Sequence, residues 1–207
     1  MIYEDMTIEE LYDKLSSPTF KEPKDGDMFY NYFIFQYDAK KEYELRKNVE
    51  DIRDRLKRPT NYIDTLVINV WEEYLSYLNQ KKFGPNPSYL KYLLEKEKGP
   101  RGVETVGRSL ANNANNEQFY AYLHNKILRH IQEDTELKKP YVFFYGLGGI
   151  FPYLRVSTLL TNYEKFNKSG EYKIIIFYPG HAEGNDYLLF DQINDHHTYR
   201  ASLLLTK

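Results

Sequence analysis

Four short runs of β-branched and aromatic residues, separated by long amphipathic segments, constrain the fold of this chain most. Such runs are typical of strands, and they cover residues 28–37, 65–70, 141–145 and 173–177. The run at 141–145 is apolar throughout, which is typical of a strand that is covered on both faces. Strands that alternate with long helices imply crossover connections. We therefore predict an α/β fold with a mostly parallel central sheet, flanked by helices on both faces.

The segments between these runs carry apolar residues at helical spacing. The first helix is predicted to follow Thr7, which can form a capping box with Glu10, and to end before Pro18. Further helices are predicted over residues 39–56, 71–80, 88–94, 117–132 and 152–166. The stretch 99–116 is rich in glycine, asparagine and charge, which fits either a loop or a weakly packed helix. Residues 187–190 and 199–205 are predicted to form C-terminal antiparallel edge strands, as a closing hairpin or edge pair.

The composition excludes several classes of protein. A length of 207 residues fits a single domain that spans residues 1–207, and a formal net charge of -2 gives no global attraction to nucleic acid or to an acidic membrane. The absence of cysteine rules out disulfides and thiolate-based zinc sites. The N-terminus lacks the plan of a signal peptide, and no apolar run approaches the roughly 20 residues of a membrane helix. We expect a soluble, cytoplasmic protein that contacts nucleic acid only indirectly; its oligomeric state is not determined by the sequence.

Two glycine-containing segments resemble nucleotide-binding motifs without completing them. The segment from Gly102 to Ser109 departs from G-x-x-x-x-G-K-[ST] at Arg108, and a charged helical segment precedes it instead of a strand. Gly146, Gly148 and Gly149 follow a predicted strand and precede a predicted helix, but Phe151 stands where a dinucleotide fingerprint has its last glycine. We predict no bound cofactor, and we interpret these glycines as a sharp turn from strand to helix.

The two strands at 141–145 and 173–177 place two turns on one rim of the predicted sheet. In parallel strands, the turn after residue 145 and the sequence Tyr178-Pro179-Gly180 meet at the carboxyl ends, where α/β sheets commonly bind ligands. The candidate rim residues on this basis are Gly146, Gly148, Gly149, Pro152, Arg155, Tyr178, Pro179 and Gly180. His181, Glu183 and Asp186 could gather beside Arg155 for acid–base or phosphate chemistry. The alternative is that these are solvated loop charges.

No complete enzyme or metal motif is present. Asp195, His196 and His197 resemble a metal-binding cluster, but neighbouring residues of an extended segment point to opposite faces. No nucleophile elbow, H-E-x-x-H motif or cysteine–histidine pair occurs. We therefore predict no catalytic, metal-binding or cofactor-binding residue.

Three C-terminal segments, in order, resemble motifs of the BrxB family of bacteriophage-exclusion (BREX) systems. Residues 145–160 resemble its T-G-V-G-x-x-Y-P-F-x-R-x-x-x-L-L stretch, residues 176–180 its F-Y/F-P-G strand end, and residues 199–201 its Y-Y-R-A-F motif. Shorter matches lie at 35–38, 67–69 and 188–190. The resemblance adds Tyr199 and Arg200 to the candidate rim. The chain departs from the pattern at three positions, which are Tyr145, Ser157 and Thr198.

The resemblance implies a non-enzymatic assembly subunit of a BREX-type anti-phage complex. Such a subunit would act alongside a DNA methyltransferase, a large ATPase and a PglZ-type phosphatase-like protein of the same operon, and the PglZ-type protein is the implied partner. Arg155 and Arg200 would stabilise the rim through hydrogen bonds to carbonyls or carboxylates. The fold would then be similar to a P-loop ATPase core without a functional phosphate loop, by analogy alone. The alternatives are a nucleotide-binding or hydrolytic enzyme that uses the rim at Gly146 and Pro179, and a nucleic-acid-binding accessory protein.

Overall fold

The computed structural model of the chain describes residues 4–21, 31–167, 171–183, 186–195 and 201–206. In chain order, its strands are β1 (Glu4–Asp5), β2 (Tyr32–Tyr37), β3 (Leu66–Asn69), β4 (Tyr141–Tyr145), β5 (Lys173–Glu183), β6 (Asp186–Leu189), β7 (Ile193–Asn194), β8 (Ser202–Leu203) and β9 (Leu205–Thr206). Its helices are α1 (Ile8–Ser16), α2 (Pro18–Lys21), α3 (Glu42–Lys57), α4 (Val70–Gln80), α5 (Tyr89–Glu97), α6 (Gly102–Ala114), α7 (Glu117–Gln132), α8 (Leu147–Ile150) and α9 (Val156–Tyr163). A 3₁₀ turn, Ala39–Lys41, precedes α3.

The central sheet is mostly parallel, as predicted. Its strands lie in the order β3-β4-β5-β2-β8, and each neighbouring pair in this order runs parallel. The end of β5 also carries β6 antiparallel, and β6 carries β7. A separate small sheet pairs β1 with β9 antiparallel. The similarity of this arrangement to a P-loop ATPase core stays a prediction.

Helices cover both faces of the sheet, and successive residues of each strand supply the two cores. From β4, Val142 and Phe144 face the core shared with α4 to α9, while Tyr141 and Phe143 face the core shared with α1 and α3. All four side chains are fully buried. This alternation explains why the strand is apolar at every position, since neither face meets water. The fold class predicted from the sequence is therefore confirmed.

The first helix forms as its sequence indicates. Thr7 accepts a hydrogen bond from the Glu10 amide at 3.3 Å, and the Glu10 carboxylate accepts one from the Thr7 amide at 2.7 Å. This capping box satisfies two amide groups that the helix itself cannot pair. Leu11 and Leu15, one turn apart, are buried against the sheet.

Replacing Thr7 with alanine should lower the free energy of unfolding by about 1 kcal/mol, because an N-cap acceptor is lost. Thr105→Ala is the control, since Thr105 is exposed within α6 and caps no helix end. Urea unfolding followed by circular dichroism measures both variants. Equal stabilities of the two would show that the capping box contributes nothing.

The structure decides one open alternative, corrects one helix boundary and adds one short helix. The segment 99–116 is largely helix α6, because Val106, Leu110 and Ala114 form one buried face at four-residue spacing. The helix predicted from residue 152 begins at Val156, since Arg155 at its N-cap is still extended. The structure also contains a short helix between β4 and α9, α8, which was not predicted from the sequence.

The predicted pairing of residues 187–190 with 199–205 is wrong. Strand β6 pairs with the extended end of β5 and with β7, whereas β8 adds parallel to the free edge of β2. Of the two predicted strands, residues 187–190 correspond to β6, which is antiparallel to β5 and to β7. Strand β5 runs to Glu183 because its outer half belongs to this hairpin. Residues 28–30 of the first predicted strand lie outside the described residues. None of the described helices is both long and apolar enough to cross a membrane.

A rim of glycine turns and aromatic rings at the carboxyl ends of the strands

The first rim turn follows β4 and contacts the end of β3. Gly146 has a φ of 71°, and a Cβ atom built on it would lie 2.2 Å from Oδ1 of Asn69. Asn69 ends β3, and its side chain accepts a hydrogen bond from the Glu72 amide at 3.3 Å, which caps α4. Glycine is required at position 146 for both its backbone conformation and the close approach of Asn69.

The next two glycines face aromatic rings on opposite sides of the turn. A Cβ atom on Gly148 would lie 2.8 Å from the ring of Phe190 and 3.6 Å from Cγ of Pro179. A Cβ atom on Gly149 would lie 3.2 Å from the side chain of Trp71. The turn after β4 therefore lies between α4 and the segment after β6, and it adjoins the end of β5. Gly148 and Pro179 are therefore neighbours in the structure. Both were predicted from the sequence to lie on one rim.

The end of β5 is held closely by the hairpin that follows it. Gly180 has a φ of 148°, and a Cβ atom on it would lie 2.0 Å from the carbonyl oxygen of Leu188. The amide of Phe190 donates to the carbonyl of Pro179 at 2.8 Å. These contacts place the ring of Phe190 over the turn that contains Gly148.

A buried carboxylate joins the C-terminal segment to the start of α9. Asp195 is 2% exposed, and its two carboxylate oxygens accept hydrogen bonds from the Ser157 hydroxyl at 2.7 Å and the Ser157 amide at 3.3 Å. Arg155 donates to the carbonyl of Asn194 at 3.0 Å, and its guanidinium lies 3.8 Å from the carboxylate of Asp195. Because the amide groups of a first helical turn lack intrahelical partners, Asp195 caps α9 from a distant part of the chain.

Tyr178 lies beneath this network. Its side chain is fully buried, and its hydroxyl has no hydrogen-bond partner within the part of the chain that the structure describes. Burial raises the pKa of Tyr178 well above its usual range, with the negative charge of Asp195 acting in the same direction and Arg155 opposing it. Tyr178 therefore stays neutral, and its ring packs edge-on against Tyr187 at 5.5 Å.

The charged residues proposed to gather near Arg155 make separate contacts. His181 lies 2.8 Å from the carboxylate of Asp191, and Asp186 accepts from the Asn194 side-chain amide at 3.1 Å. Glu183 is exposed at the end of β5. Of the other predicted residues, Pro152 is exposed after α8, while Tyr199, Arg200, His196 and His197 lie outside the described residues.

A second group of side chains, outside the rim, consists of residue types that can bind a metal ion. Ligand atoms of Asp64, His130 and Glu133 lie within 4.8 Å of one another. However, Lys57 contacts the carboxylate of Asp64 at 3.2 Å, and Lys139 lies 3.6 Å from that of Glu133. Two ammonium groups already balance the two carboxylates, so this cluster is better described as an ion-pair network.

The sequence did not reveal two features of the rim. The capping role of Asp195 was missed because it acts across 38 residues, and short-range capping patterns do not extend that far. The rim also carries a set of partly exposed aromatic side chains, which we name the aromatic rim: Trp71, Phe151, Tyr153 and Phe190. Its rings pair as Trp71 with Tyr153 at 6.5 Å and Phe151 with Phe190 at 6.1 Å.

The part of the chain that contains this rim matches a known protein family. The family model described as BREX protein BrxB matches residues 66–204, which include the rim from Trp71 to Asp195. The chain belongs to the BrxB family. A BREX protein BrxB from Bacillus cereus (strain H3081.97) is 26% identical over 200 residues, which cover 97% of this chain and 96% of that protein. No solved structure matches the chain. As a BrxB-family member, the protein is a component of a BREX phage-defence system.

Proposed function

We propose that the chain is a non-enzymatic assembly subunit of a BREX-type anti-phage complex and that it binds the PglZ-type phosphatase-like component in the cytoplasm. Family membership supports the defence setting, and other BREX components are therefore the expected partners. The surface that we propose for the contact is the aromatic rim together with Arg155.

The composition of this surface is the observation that carries the proposal. Trp71, Phe151, Tyr153 and Phe190 are each partly exposed, and the side chain of Arg155 is 45% exposed beside them. Aromatic residues and arginine are the side chains most enriched at protein interfaces and at their energetic hot spots. The paired rings are also supported from below by the glycine turn, so little side-chain entropy remains to be lost on binding.

The polar groups beneath the rim support an assembly role more than a catalytic one. The carboxylate of Asp195 is engaged with Ser157 and with the guanidinium of Arg155, so it is not positioned as a free general base. The hydroxyl of Ser157 donates to this buried carboxylate instead of facing an open cleft. These contacts stabilise the shape of the surface.

The test is co-purification of the tagged protein with the PglZ-type protein of the same operon. Tyr153→Ala should reduce the affinity about fivefold or more, because an interfacial ring of hot-spot quality contributes about 1 kcal/mol or more. Arg108→Ala is the control, since Arg108 is exposed on α6 and, among the residues that the structure describes, forms an ion pair only with Glu104 of the same helix. Thermal unfolding of the free variants separates loss of binding from loss of folding.

Two outcomes would contradict the proposal. One is that the wild-type protein fails to associate with the PglZ-type protein. The other is that ATP, GTP or Mg²⁺ raises the melting temperature of the free protein, because a ligand stabilises the native state that binds it. That result would favour a nucleotide-binding or hydrolytic enzyme.

A further inference from the structure

A recess lies on the opposite face of the sheet from the aromatic rim. A cavity of about 270 Å³ opens at the carboxyl end of β2, between the start of α1 and the first turns of α3. Its apolar floor is formed by Ile8, Phe35 and Leu45, of which Phe35 and Leu45 are buried. In open α/β sheets, ligands commonly bind at the carboxyl ends of strands.

The edge of the cavity carries a net negative charge. Asp38 and Glu44 supply two carboxylates, and Lys41 supplies one ammonium group. Asp38 is exposed, and one of its oxygens accepts a hydrogen bond from the Lys40 amide at 2.9 Å. Glu44 and Lys41 are exposed, and no ion pair holds either of them among the described residues. The edge can therefore bind a cation without first breaking an internal ion pair.

An aromatic ring completes the edge. Tyr37 lines the cavity, and its hydroxyl donates to the carboxylate of Glu42, which fixes the ring. Glu42 itself pairs with Arg46 at 3.1 Å, so its charge is already balanced. A flat cation is suited to such a place, because guanidinium stacks on aromatic faces and is more weakly hydrated than ammonium. The aliphatic stem of an arginine would at the same time contact the apolar floor.

The same combination of groups is already present in the neighbouring part of the α1–α3 contact. The guanidinium of Arg55 lies 3.8 Å above the ring of Tyr12 and donates to both carboxylate oxygens of Glu9, at 2.8 and 2.7 Å. There, α3 supplies the arginine and α1 supplies the ring and the carboxylate. The cavity at β2 has the ring and the carboxylates but no arginine of the described chain within it.

We propose that this cavity receives an arginine side chain from a partner protein in the BREX assembly. The proposal deepens the assembly role given above and rests on it for the identity of the partner class, but it uses a different surface. The cavity serves as an anchor point, in which one desolvated arginine is surrounded by a ring, two carboxylates and an apolar floor.

The test uses two small probes on the isolated full-length protein. N-acetyl-arginine methylamide should shift the NMR signals of the side-chain amide of Asn48 and of the backbone amide of Gln36, since both residues line the cavity. The citrulline analogue has nearly the same shape without the charge, and it should shift them much less at equal concentration. Equal shifts from the two probes, or none from either, would overturn the proposal.

Two single substitutions should change the arginine affinity in opposite directions. Glu44→Gln removes a carboxylate and should weaken binding of the arginine probe about two- to fivefold, whereas Lys41→Gln removes a repelling charge and should strengthen it by a similar factor. Glu97→Gln, at an exposed position on α5, is the control and should leave the affinity unchanged. If both edge variants behaved like the control, the cavity would not be the binding site.

The source of the guanidinium is tested separately. N-butylguanidine carries the same single charge without a peptide backbone, and binding of this compound that is far tighter than that of the capped arginine would overturn the assignment to a partner protein. Co-purification with the PglZ-type protein is measured on Glu44→Gln in parallel. If the probes fail while wild-type association persists, the cavity proposal is wrong and the assembly role stands; if association fails in the wild type, the assembly role itself is wrong.

Discussion

Replacing Gly180 with alanine is expected to destabilise the protein by about 3 kcal/mol or more. The residue has a φ of 148°, which alanine rarely adopts, and the added Cβ would lie 2.0 Å from the backbone carbonyl oxygen of Leu188. Neither strand can move away easily, because β5 continues into the central sheet and β6 is paired on both sides. The measurement is the midpoint of thermal or urea unfolding.

Gly107→Ala is a control for which we expect the opposite change, a gain in stability. Gly107 lies inside α6, and the nearest atom to an added Cβ is a ring carbon of Tyr153 at 3.9 Å, an ordinary contact. Alanine should therefore stabilise the helix by about 0.5–1 kcal/mol. If Gly180→Ala were no more destabilising than this control, the close packing of β6 on the end of β5 would be refuted.

Replacing Asp195 with alanine should cost about 2–4 kcal/mol of unfolding free energy. The change removes the cap of α9 and leaves the buried hydroxyl of Ser157 without its charged acceptor. Arg155 adds little to the loss, because its side chain is 45% exposed and water can solvate it. Urea unfolding with linear extrapolation gives the difference in free energy.

Asp134→Ala is the matched control for this prediction. Asp134 is exposed after α7, and its carboxylate has no hydrogen bond or ion pair with another described residue, so its loss should change stability by less than about 0.5 kcal/mol. Asp195→Asn should fall between the two, because the amide keeps one oxygen acceptor but loses the charge. An Asp195→Ala variant as stable as Asp134→Ala would rule out the long-range cap.

Local sequence signals were sufficient to predict most of the helices and strands. The capping box at Thr7 and the apolar run Tyr141–Tyr145 each depend on neighbours within a few residues, and both are formed as predicted. Helix α7, Glu117–Gln132, has the bounds that its spacing indicated. The helical face of α6 was also present in the spacing of Val106 and Leu110, but glycine and asparagine within the segment obscured it.

Contacts between distant segments could not be predicted in the same way. The two-residue strand β8 has too few residues for a recognisable pattern, and its parallel position beside β2 depends on the edge that the other strands leave free. The aromatic rim joins Trp71 on α4 to residues more than seventy positions later, so no local pattern links its members. The glycine motif indicated where a turn would lie, and only the structure shows which rings it accommodates.

The position of β2 in the sheet has a consequence for how the chain is made. Residue 32 pairs with residue 174, and residue 33 with residue 202, so both neighbours of β2 come from the last part of the chain. A ribosome that has synthesised β3 and β4 has therefore not yet made either strand that can pair with β2. Because synthesis proceeds at about 5–20 residues per second, this apolar strand remains without its sheet partners for many seconds. Newly made chains that stop short of β5 leave both edges of β2 open to other chains, which makes premature termination a route to aggregation.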